Sequence, residues 1–156
     1  MKHCILIICA TIISCTTTAK AQQTTTPDSL LIYLYRGSFN DALPEFEIKI
    51  YKSGRADYKG IKNTTIKGNV TTQVDEQEIE IFFGTAYAMS FFELQTSYTE
   101  NFFAVEKAII ALYDNATGKH NKIMRRGKIP KPVNAMEDRI IKAVEQAIAN
   151  DAAKKQ

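Results

Sequence analysis

From Glu45 to Lys52 the chain reads EFEIKIYK, and this stretch limits the fold more tightly than its neighbours do. Phe46, Ile48 and Ile50 alternate with Glu45, Glu47, Lys49 and Tyr51. That two-residue repeat belongs to an extended strand with one dry and one wet face. Ser53-Gly54 then offers a tight turn into RADYKGI, so the two runs are expected to form an antiparallel hairpin.

Other segments extend the pattern. SLLIYLYR, Ser29 to Arg36, is rich in β-branched and aromatic residues and reads as a strand. TTIKGNVTT, Thr64 to Thr72, reads as a short strand broken near Gly68. Phe102 to Asp114 is a long strand whose partner, KHNKIMRR, returns after an NATG turn with Gly118 in the left-handed position. Two stretches change period. In DEQEIEIFFGTAYAMSFF, Ile79, Phe82, Phe83, Ala86 and Met89 recur at helical steps, with Asp75 and Glu76 suited to a first turn. VNAMEDRIIKAVEQAIAN follows Pro130 and Pro132 and turns Met136, Ile140, Val144, Ala147 and Ile148 inward. The order predicts an α+β fold: an antiparallel β-sheet of about five to six strands, mostly hairpins, with two α-helices packed on one face.

The first residues are read differently. Lys2 and His3 precede CILIICATIIS, an apolar run too short to cross a bilayer as a helix. Ala19-Lys20-Ala21 then matches the small-x-small pattern of a secretory cleavage site. Residues 1–21 are thus expected to be a signal peptide, 22–29 a polar linker, 30–150 one domain and 151–156 a frayed tail. Two processing routes stay open. Cleavage after Ala21 releases a soluble protein, whereas IISC, Ile12 to Cys15, resembles a bacterial lipobox that would leave Cys15 acylated. Either way the product resides in the periplasm or cell envelope, with no transmembrane span.

Composition removes several chemistries. The three cysteines, Cys4, Cys9 and Cys15, all lie in the leader. The body therefore has no thiol nucleophile, no CxxC pair, no cysteine metal site and no disulfide. Of the two histidines only His120 remains there, which rules out a His-rich metal site. Lys2 and Lys20 leave with the leader, so the formal charge of +3 falls to +1 and no basic field for nucleic acid remains. No cofactor is indicated, since a glycine-rich phosphate loop and a G-x-S-x-G elbow are both missing.

IYLYRGSFNDALPEFEIKIYKSGRADYKG resembles an exported bacterial family known as domain of unknown function 6438. The matching positions are Phe39, Pro44, Phe46, Ile48, Ile50, Tyr51, Gly54, Tyr58 and Gly60. SFFELQTSY, through Phe91, Phe92, Leu94 and Tyr98, and IPKPVNAMEDRI extend the likeness. Where the family has a cysteine pair, this chain has Ser38 and Leu43. If that pair is a disulfide in relatives, its loss removes a clamp of about 2–4 kcal/mol. The resemblance implies the fold and export, and no activity. In the loop SFNDALP, Phe39 and Leu43 are expected to turn inward while Asn40 and Asp41 supply turn chemistry.

The candidate contact residues lie in KHNKIMRRGKIPKP, a run with no acid. Two readings stay open for Lys122, Arg125, Arg126 and Lys128: a solvated face that balances the acidic DEQEIE of Asp75 to Glu80, or a contact with lipid headgroups, an anionic glycan or an acidic envelope protein. Glu45 and Glu47, roughly 7 Å apart by strand rise, are the pair a carboxylate-dependent hydrolase would need. Tyr33, Tyr35, Tyr51 and Tyr58 are expected to gather on the first strands, where an inhibitor-like protein would present them. The leading expectation is a non-enzymatic binding or structural module.

Overall fold

The computed structural model describes residues 28–38, 42–99, 106–127 and 129–154. Among these residues seven strands form one sheet: β1 (Leu30–Ser38), β2 (Glu45–Tyr51), β3 (Arg55–Lys62), β4 (Gly68–Gln73), β5 (Ser97–Thr99), β6 (Glu106–Asp114) and β7 (Lys119–Arg126). Their order is β4-β3-β2-β1-β6-β7-β5, with β1 in the centre. All neighbours are antiparallel except β5, which lies parallel to β7. The strand count exceeds the expected five to six because of β5, three residues with no readable alternation.

The helices are α1 (Glu76–Ala88) and α2 (Lys131–Ala153). Asp75 caps α1 by accepting the Gln77 N–H at 2.9 Å. The apolar period continues past Ala88, but Ser90 adopts φ 54° and ends the helix; Phe91–Glu93 form one 3-10 turn. Helix α2 starts before the expected Val133, because Pro132 fits the first turn, where its missing N–H costs nothing. It also runs on to Ala153, held by the Thr72 hydroxyl donating to Asp151 at 2.7 Å.

Both helices cover the same sheet face. Ile32, Leu34, Phe46, Ile48, Ile50, Ile110, Leu112 and Ile123 from the strands share one cluster with Ile79, Phe82, Val133, Met136, Ile140 and Val144 from the helices. Tyr58 also faces this core, stacked on Phe46 with ring centroids 5.7 Å apart, and so leaves the other tyrosines. Leu43 is exposed, contrary to its expected inward turn, while Ser38 Oγ accepts the Ala42 N–H. Phe39, Asn40 and Asp41 lie outside the described residues.

Gly60 marks a close approach. A Cβ there would collide with the carbonyl oxygen of Ile66 and sit 2.6 Å from Thr64 Oγ1. Gly60→Ala should lower unfolding free energy by about 1–3 kcal/mol in urea titration. An unchanged midpoint would mean that residues 63–67 give way freely.

Candidate functional site

Strand register sets out the uncovered face as a grid. One row across it is Thr71, Asp57, Lys49, Tyr33, Ala111 and Lys122. The next is Asn69, Lys59, Glu47, Tyr35, Ile109 and Met124. A third joins Lys107 to Arg126.

The two halves of this face differ in charge. On the β2–β4 side acids and bases are balanced: Lys49 Nζ lies 2.5 Å from Glu47, Arg55 lies within 4 Å of both Asp28 and Asp57, and Lys59 stands in register with Glu47. Tyr35 donates to Glu45 at 2.6 Å and Tyr33 to Glu47 at 3.4 Å. The bond to Glu45, with burial and that carboxylate's charge, pushes the Tyr35 hydroxyl up to about 12. Glu45 and Glu47 therefore act as hydrogen-bond acceptors for the two tyrosines.

On β6 and β7 the same face shows Lys107, Ile109, Ala111 and Tyr113 beside His120, Lys122, Met124 and Arg126, with no carboxylate among them. Lys122 and Arg126 are exposed and Met124 is 43% exposed. Lys107 Nζ stands 5.3 Å from the Tyr35 ring centroid, and His120 stacks on Tyr113 at 6.5 Å. The free edge of β7 is blunted, since the Asn121 side chain accepts the Lys122 N–H at 2.8 Å and donates to the Phe91 and Leu94 carbonyls.

Arg125 corrects the sequence expectation. It shares the inward phase of Asn121 and Ile123 and is 2% exposed, beneath α2. Its Nη2 donates at 2.8 Å to both Glu137 and Glu106, its Nε to Glu137 at 3.3 Å and its Nη1 to the Gly127 carbonyl at 3.0 Å. Arg36 closes the cluster. Its Nη1 donates to Asp138 at 3.1 Å, and its Nε approaches Glu106 at 2.7 Å as an ion pair without hydrogen-bond alignment. Burial opposes charge on both Arg125 and Glu106. The hydrogen bonds and ion pairs win, raising the guanidinium pKa and lowering the carboxyl.

A hollow of about 560 Å³ opens beside this cluster, lined by Glu106, Arg125, Asn134 and Asp138 among others. A Glu106 carboxyl held ionised below its ordinary pKa is a poor general acid at neutral pH. The cluster is suited to locking strands β1, β6 and β7 to α2.

Of the four residues expected to share a basic contact, the structure keeps Lys122 and Arg126 on the open face and buries Arg125. Lys128 and Cys15 lie outside the described residues. Sequence reasoning missed Arg36, Glu106, Glu137 and Asp138. The signal for Glu137 was its place on the inward stripe of α2, between Val133 and Ile141.

No protein of curated function matches the sequence. Residues 30–144 match the family described as Domain of unknown function (DUF6438), a span that takes in β1 through most of α2. The alternating hairpin, the Gly60 approach and the helix-covered sheet are thus features of a chain that belongs to the DUF6438 family.

Proposed function

We propose that this chain is an exported envelope protein whose domain works by binding a partner through its uncovered sheet face, without breaking bonds. The observation that carries this reading is the imbalance across that face. The β2–β4 half balances acids with bases, whereas the β6–β7 half presents Lys107 and Lys122 to either side of an exposed Met124, with no carboxylate among the described residues on that part of the face. An uncompensated cationic patch steers an acidic partner and fixes its register.

Export rests on the short apolar run and the Ala19-Lys20-Ala21 sequence before the domain. Intact-mass measurement of the native protein reads its start as Gln22 or as acylated Cys15; a product that still begins at Met1 overturns export. For binding, the tagged full-length protein is used to capture material from envelope extract beside its Lys122→Glu variant. Recovery of one species by wild type, lost in the variant, is expected. Equal recovery by both, or the protein alone at every salt concentration, overturns the reading.

A further inference from the structure

Resting on that reading, we infer that the β6–β7 half of the open face docks an extended acidic polypeptide segment. The segment has carboxylates at positions i and i+4 and an apolar residue at i+2. Along β7 the face presents Arg126, Met124 and Lys122 at alternate positions, cation, apolar, cation. Register sets Lys107, Ile109 and Ala111 of β6 beside them in the same three rows.

Alternate residues of any extended chain recur at about 6.6–6.8 Å. A peptide lying along β7 therefore matches these rows one for one. Its carboxylates meet Lys107 at one end and Lys122 at the other, and its central side chain meets Met124 and Ile109. Lys122 forms no ion pair among the described residues, so its ammonium has no internal carboxylate to give up.

The segment lies on the face and does not add to the edge. Beyond the three residues paired by β5, Asn121 already occupies the outward N–H of Lys122. A strand arriving at that edge finds its donor taken.

The apolar row selects a polypeptide over the other polyanions. A uronate polysaccharide has no apolar group to set between two carboxylates. Insertion into a bilayer needs apolar side chains standing proud, and here Ile109 is half-buried and Ala111 wholly buried, leaving Met124 as the exposed one of the three.

The probe is fluorescein-labelled Ser-Glu-Thr-Leu-Thr-Glu-Ser, titrated with the full-length protein by fluorescence anisotropy at low salt. The Lys107→Glu/Lys122→Glu variant should bind about tenfold more weakly. Met124→Asp should also weaken binding, and Lys59→Glu, on the charge-balanced half, should not. Gln-for-Glu and Ser-for-Leu peptides should each bind less, and salt should erase the difference between variants. Equal binding by wild type and the double variant overturns the proposal. So does absence of peptide binding alongside charge-dependent binding to polygalacturonate or to vesicles containing phosphatidylglycerol. If extract capture depends on Lys122 while the peptide fails, the binding module stands and this segment chemistry falls; if both fail, both fall.

Discussion

Replacing Arg125 with methionine should lower unfolding free energy by about 3–5 kcal/mol, read from urea denaturation followed by circular dichroism. Glu137 is fully buried and takes three hydrogen-bond contacts from this guanidinium. Without it the carboxylate keeps, among the described residues, only Arg36 Nη2 at 3.6 Å, and must otherwise bear its charge out of water. The cost thus comes from the orphaned acid more than from the missing attraction. A double variant, Arg125→Met with Glu137→Leu, should regain most of the loss, because an apolar pair fills the same space without an unpaired ion. A single-variant loss below about 1 kcal/mol would place the pair among ordinary surface contacts.

The acid limb gives a second readout of the same cluster. The ordinary Glu106 pKa is 4.5, and the folded value lies below it. A depressed carboxyl contributes stability that is present above 4.5 and is lost as pH falls through the folded value. In Arg125→Met the folded value moves back toward the ordinary one, so this contribution should shrink. The variant's stability should then vary less across that acid window.

Phe91→Ala should cost about 3–5 kcal/mol in the same assay. Phe91 is fully buried immediately after the left-handed Ser90, edge-on to Phe92 at 5.8 Å. Its carbonyl also accepts the Asn121 amide at 2.8 Å, which ties the turn after α1 to β7. Truncation therefore empties core volume where that tie holds the chain and limits collapse into the space. Ile81→Ala, on the exposed side of α1, should change stability by less than about 0.5 kcal/mol. Equal costs at the two positions would deny that Phe91 anchors the turn.

The alternation of Phe46, Ile48 and Ile50 was legible because strand period and burial coincide: all three face the core, and Glu45, Glu47 and Lys49 face away. The inward stripe of α2 was legible for the same reason. Arg125 was misread because a run of cations looks like a wet face, although Ile123 two residues earlier already set the inward phase. The cluster's long-range partners were out of reach. Arg36 and Glu106 meet only because β1 and β6 pair, and sequence spacing carries no trace of that register. Tyr58 was grouped with Tyr33 and Tyr35 by composition, whereas its even number on β3 sets it with Ala56 on the core side.

The position of β1 has a consequence for how the chain is made. The first strand to emerge is the middle one of the finished sheet, flanked by β2 and by β6. The β1–β2 hairpin forms from local sequence, but the other flank waits until residues around Leu112 arrive to meet Ile32. Closing so long a loop is entropically slow. A partly synthesised polypeptide therefore keeps one flank of β1 unsealed, and the sheet sets into a unit when its second half arrives.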